Sequence, residues 1–113
     1  MKARWMPATA AAALLAALSS SPTHAADTDA AAEDRGRALF TGGATPACAI
    51  CHTLADAGAT GAVGPSLDEL KPDAARVESV LRKGMGVMPA YTSLSEEDIK
   101  ALSLYVSHAT GGS

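Results

Sequence analysis

The run Cys48-Ala49-Ile50-Cys51-His52 constrains this chain more than any other feature. It holds the two cysteines of the sequence, three positions apart, with a histidine directly after the second. Three ordinary uses of such a pair fit poorly. A disulfide closing so short a loop adds little stability. A redox dithiol of this spacing belongs to an α/β framework, and the chain has no strand signal of any length. Half a zinc site needs further ligands, and His24, His52 and His108 are the histidines on offer.

The remaining reading is covalent attachment of haem c, for which C-x-x-C-H is the pattern. Two cysteines on one tight turn can each reach a porphyrin vinyl group and form two thioethers. The next residue then projects toward the iron, so His52 can supply an axial nitrogen.

The N-terminus reads as separate from the fold. Lys2 and Arg4 precede an apolar stretch from about Ala8 to Leu18, followed by Ser19, Ser20, Ser21, Pro22 and Thr23-His24-Ala25. This is the order of a secretory signal peptide, with the cut expected after Ala25 or, alternatively, Ala26. The apolar run is short for a bilayer span, so stable membrane insertion after cleavage is not expected. No cysteine lies near the cut to carry a lipid. The expected organisation is a signal peptide over residues 1–25 and one domain over residues 26–113, exported to the periplasm. That domain keeps 7 basic and 12 acidic residues, a formal net charge of −5. So acidic a domain lacks the basic footprint of a nucleic-acid binder. Its aromatics are few, and a chain this short buries a modest core unless something staples it.

Glu33 to Phe40 reads as a helix, starting as early as Asp27 and ended by Gly42-Gly43. Residues 41–65 are glycine-rich and hold two prolines, so loop is expected there, with one helical turn from Cys48 to Thr53. Asp73 to Lys83 reads as a helix with Val77, Val80 and Leu81 on one face and Gly84 as its stop. The last helix is the best marked. Ser95 is its N-cap, with Asp98 in an imperfect capping box and Leu94 and Ile99 as a hydrophobic staple. Ile99, Leu102 and Val106 form its stripe, Tyr105 borders it, and Gly111 follows its end. Long glycine-rich connections in so short an all-α chain imply that something large fills the space between helices.

A haem in an electron carrier takes a sixth ligand, and methionine raises its potential. Met85 and Met88 lie in the loop Gly84 to Thr92 without helical periodicity. Met88 precedes Pro89, whose fixed φ stiffens the chain there. Met85, between Gly84 and Gly86, sits on a looser backbone.

Across these residues the chain resembles the class I c-type cytochromes, the small bacterial monohaem members in particular. Cys48, Cys51 and His52 match the attachment motif. Gly64-Pro65-Ser66-Leu67 is similar to the family's Gly-Pro-Asn-Leu turn, with Ser66 in place of asparagine. The resemblance implies that the Pro65 carbonyl orients His52 and that Met88, before Pro89, is the sixth ligand. Gly36 and Phe40 resemble the first-helix pair that crosses the last helix at Leu102 and Tyr105. The fold implied is all-α, a small cytochrome c-like arrangement of three to four helices wrapped around one covalently bound haem. Two departures are the short stretch from Leu67 to Met88 and the lack of tryptophan after residue 25. Arg76 and Tyr91 are candidates for the haem propionates.

The implied function is a soluble periplasmic one-electron carrier rather than an enzyme. Its partners would be redox proteins, a donor dehydrogenase and an acceptor oxidase or cytochrome. Residues 51–70 look broadly similar to small cytochromes that accept electrons from periplasmic sulfite dehydrogenases. The alternative is therefore a dedicated haem subunit bound tightly to such a dehydrogenase. A high-spin haem enzyme and a thiol-disulfide protein are the remaining classes. Lys71, Arg76, Arg82 and Lys83 cluster before the methionine loop. Arg82 and Lys83 are expected to border the haem edge and steer an acidic partner, or else to be ordinary helix-end charges.

Overall fold

The structure, a computed structural model, describes residues 1–14, 16–19 and 24–112, with side chains of the first helix from residue 28 onward. Ser20 to Thr23, which lead up to the expected signal-peptide cut, lie outside the described residues. Residues 1–14 and 16–19 form neither helix nor strand. Among the described residues no helix is long and apolar enough to cross a membrane.

Two 15-residue helices frame the domain, α1 (His24–Ala38) and α5 (Glu96–Thr110). Between them come single turns α2 (Cys48–Cys51) and α3 (Leu67–Leu70) and the 10-residue α4 (Ala74–Lys83). The architecture is the expected small helical one. Three local features go beyond the sequence reading. The first helix passes into a wider π turn over Leu39–Gly43 instead of stopping at Phe40. The glycine-rich loop contains a two-residue antiparallel ladder, β1 (Thr53–Leu54) with β2 (Ala59–Thr60), registered Thr53 to Thr60 and Leu54 to Ala59. Gly58, at φ +64°, closes that hairpin in the left-handed region. The turn α3 carried no periodic signal because it is only four residues long.

The caps follow from side-chain chemistry. The Asp73 carboxylate accepts from the Arg76 N–H at 2.7 Å and starts α4. The Ser95 hydroxyl accepts from the Asp98 N–H at 3.1 Å and starts α5. Asp98 also binds Arg35 on α1, so the expected capping box shares its carboxylate with an interhelical ion pair.

The α1/α5 crossing is set by Gly36. A Cβ placed there would lie 2.3 Å from the Ala101 carbonyl oxygen and 2.5 Å from the Tyr105 Cβ. Only a residue without a side chain lets the two backbones touch. Phe40 then meets Tyr105 edge to face, with ring centroids 6.1 Å apart. Helix α5 is buried beyond its apolar stripe: Ala101, Ser103, Ser107 and Thr110 are buried as well. Their hydroxyls can be buried because each bonds back along the helix, Ser103 to Ile99 O at 2.7 Å and Thr110 to Val106 O at 2.8 Å. The core is Phe40, Leu54, Leu81, Tyr91, Ile99, Leu102, Tyr105 and Val106, with Leu94 packed on it as the staple expects.

Candidate cofactor site

The core is open on one side. An apolar cavity of about 200 Å³ lies between α4, α5 and the attachment turn, walled by residues including Phe40, Val77, Leu81, Leu102 and Val106. Cys48, His52, Met85 and Met88 line it, and they also line an adjoining hollow that includes Cys51 and opens beside Val63 and Val87.

The attachment turn is built tightly. α2 makes one turn and the chain leaves it at His52, whose N–H donates to the Cys48 carbonyl at 2.9 Å. A second segment clamps this turn from outside. The Gly64 N–H donates to the Cys51 carbonyl at 2.7 Å. A Cβ on Gly61 would lie 2.6 Å from the Ile50 carbonyl, and one on Gly64 would lie 2.5 Å from the His52 ring. His52 Nδ1 donates to the Pro65 carbonyl at 2.8 Å. A carbonyl can only accept, so Nδ1 carries a proton, and in the neutral ring Nε2 keeps its lone pair. The contact implied by the Gly-Pro-Ser-Leu turn is therefore present. The parts played by Gly61 and Gly64 as packing partners of the turn were not legible in sequence, since both residues read equally well as loop.

Met85 and Met88, which share the lining of this cavity, form a two-residue hairpin. Met88 N–H donates to Met85 O at 2.9 Å and Met85 N–H to Met88 O at 3.0 Å. Gly86 has φ +56° at the first turn position, the pattern of a type II′ turn. This corrects the expectation of a looser backbone at Met85: it is paired directly with Met88. Residues opposed on such a ladder present their side chains to the same face, and both methionines are in the cavity lining. Only Met88 packs against the core cluster. Gly84 sits under the hairpin, where a Cβ would lie 2.8 Å from the Met88 carbonyl. Tyr91 N–H donates to Leu81 O at 2.8 Å and ties the hairpin to α4.

Other expectations fall differently. Arg76 lines the cavity. Tyr91 donates its hydroxyl proton to the Pro46 carbonyl at 2.7 Å, so it has none to give a propionate. Burial pushes that hydroxyl up to about 12. Arg82 and Lys83 line neither space. Arg82 is bound to Glu78 at 2.7 Å and Glu96 at 2.6 Å, joining α4 to α5. His108 pairs with Glu33 on the far side of α5, in a groove with Arg37, Asp56 and Tyr105. It is not placed to reach the cavity. Burial pushes the Cys48 thiol up to about 11, the reverse of the lowered value a reactive dithiol needs.

An apolar cavity lined by Cys48, an oriented His52 imidazole, Met85 and Met88, with Cys51 on the adjoining hollow, matches the donor set of a haem c. Comparison with known proteins agrees. Residues 31–106 match the family described as cytochrome c oxidase, cbb3-type, subunit III. The chain belongs to the c-type cytochromes. It is similar to the c-type cytochrome SorU from Sinorhizobium meliloti, with 51% sequence identity over 73% of this chain and 94% of that one, and a TM-score of 0.71. A search of the curated proteins finds no match. This cytochrome is an electron-transport protein that carries haem c, and Cys48 and Cys51 have the spacing of the attachment motif.

Proposed function

We propose that this cytochrome is a periplasmic one-electron carrier whose haem c has His52 and Met88 as axial ligands. Residues 1–25 would be its signal peptide and residues 26–113 the working domain. The observation that carries the reading is that His52, held by Pro65, and Met88, held by its hairpin, line one apolar cavity together.

Haem c supplies a reversible one-electron change at iron. The protein's part is to tune and shield that change. Pro65 accepts the Nδ1 proton of His52, which fixes the ring and makes Nε2 a stronger donor. The soft thioether of Met88 favours the reduced state. Phe40, Leu81 and Leu102 line the cavity and exclude water, which disfavours the extra charge of the oxidised state. With His52 and Met88 both holding the iron, no open position would be left there for a substrate, so the reading is a carrier and not an enzyme. Electrons would come from a periplasmic dehydrogenase, of which a sulfite dehydrogenase is the favoured kind, and pass to an oxidase or another cytochrome.

Visible spectroscopy of the purified holoprotein tests the ligand pair. The wild type should be low-spin, with the weak long-wavelength sulfur-to-iron band when oxidised. Met88→Ala should lose that band, lower the potential and admit added cyanide or imidazole, while Met85→Ala should keep the band. A band lost in Met85→Ala and kept in Met88→Ala would reverse the assignment. A high-spin wild type at rest would overturn the carrier reading itself.

A further inference from the structure

Arg76 stands apart from the other arginines of residues 26–113. Arg35 is held by Asp98, Arg37 by Asp56, and Arg82 by Glu78 and Glu96. Among the described residues the Arg76 guanidinium has no carboxylate partner. Asp73, which caps its helix, bonds the Arg76 backbone N–H and not the side chain. Arg76 also lines the apolar cavity, and no lysine, aspartate or glutamate lines it beside Arg76. Leu70, Pro72, Val77 and Val80 are in the same lining. The stem of a long cationic side chain can cover apolar surface while its head stays in water. Here that head is also unengaged, so it can meet an anion that enters the cavity.

Position says which anion. Haem c has two propionates, on the edge of the porphyrin opposite its two vinyl groups. Cys48 and Cys51, which the vinyl groups join, both line the hollow beside the attachment turn. Arg76 lines the cavity and not that hollow. The thioethers therefore direct the carboxylate edge away from the hollow, toward the part of the lining to which Arg76 belongs.

We infer that Arg76 binds a haem propionate and holds it ionised in both oxidation states, so that one electron enters or leaves the iron with no proton taken up or lost. The inference rests on the carrier reading and adds the residue that separates electron from proton. A carboxylate beside apolar side chains is pushed toward its protonated form. Oxidised iron, with one more positive charge, favours the ionised form. Without a fixed cation, reduction would draw a proton onto the carboxylate, and the potential would fall as pH rises. A guanidinium is charged at every working pH, and its planar fork matches a carboxylate, so it keeps that group ionised throughout.

Voltammetry of the holoprotein from about pH 5 to about pH 8 tests this. The wild-type potential should be flat over that range. Arg76→Gln removes the charge but keeps much of the stem and the cap, since Asp73 bonds a backbone N–H that any residue but proline supplies. Its potential should lie below the wild type's near pH 8, because a cation beside the iron is lost, and should rise as pH falls. Arg76→Lys should restore the flat profile. Infrared difference spectra between the two oxidation states near pH 6 should show a protonated carboxyl band in Arg76→Gln and none in the wild type, with the visible spectrum the same in both. A slope already present in the wild type would overturn the inference and leave the carrier reading standing. So would an Arg76→Gln profile that matches the wild type's, since the side chain would then serve by its stem alone. Absence of a reversible wave from the wild type would overturn both.

Discussion

The α1/α5 crossing and the cofactor cavity share Phe40 and Leu102, yet they are held together by different physics. At the crossing, protein meets protein. Gly36 lets two backbones touch, and ion pairs seal the outside: Arg35 with Asp98, and Arg37 with Asp56, which also accepts from the Tyr105 hydroxyl at 2.6 Å. Arg37 lies 5.8 Å from the centre of the Tyr105 ring. Around the cavity, protein meets a space, and facing α4 and α5 there are single turns and two-residue hairpins clamped by backbone bonds. The contrast teaches that the crossing can specify the helical frame by itself. The cavity side relies on the covalent group to complete its packing. A small domain of this kind gains its staple from the cofactor rather than from a larger core.

Substitutions at two glycines separate the regions. Gly36→Ala gains about 1 kcal/mol of helix propensity but drives a Cβ into the Ala101 backbone, which cannot yield without separating the helices. The net expectation is a loss of about 2 kcal/mol in denaturant unfolding, with the haem spectrum of the folded protein unchanged. A spectral change of the size produced at the cavity would break the distinction between the regions.

Gly64→Ala should do the reverse. Its Cβ meets the His52 imidazole, a side chain that can turn, so the stability loss should stay near 1 kcal/mol. The ring can turn only by straining its bond to Pro65. Altered visible and near-ultraviolet bands are therefore expected, together with a weaker axial bond that added imidazole can displace. An unchanged spectrum would show that the clamp does not set the ring.

The smallest expected effect is on acid stability. The Tyr105 hydroxyl and Arg37 hold the Asp56 carboxyl below its usual range, and Arg35 does the same for Asp98. A carboxylate depressed in the folded state contributes stability that is fully present above its unfolded value, near pH 4. That contribution is lost as pH falls through the lower folded value. Asp56→Asn should accordingly flatten the acid limb of stability while leaving unfolding at neutral pH only slightly easier, because exposed pairs contribute little. Circular dichroism at 222 nm followed from pH 6 to pH 2 measures it. An acid limb as steep as the wild type's would remove Asp56 from the account.

Much of the site was legible because its chemistry is local. Covalent attachment needs two thiols and an imidazole within one turn, so Cys48, Cys51 and His52 are adjacent in sequence for the reason they are adjacent in space. The stop at Gly84, the Ser95 cap and the stripe of α5 are equally local. The Gly-Pro-Ser-Leu turn was legible through resemblance, and its carbonyl contact with His52 is where the resemblance implied. The charges were legible only as alternatives. Lys71, Arg76, Arg82 and Lys83 cluster along the chain, but a helix spreads neighbours around its axis. Arg82 therefore meets Glu78 one turn back and Glu96 from another helix, while Arg76 reaches the cavity wall.

By itself, then, the sequence determined the cofactor, the order of the helices and their caps, since each of these depends on side chains a few residues apart. Only the tertiary structure decided how the parts face one another. It set Gly61 and Gly64 against the attachment turn, paired Met85 with Met88 on the cavity lining, and bound Arg82 into an ion-pair network. Those outcomes depend on contacts between residues distant in sequence, whose geometry is fixed by how closely backbones can approach and by which charges find partners once the helices have packed.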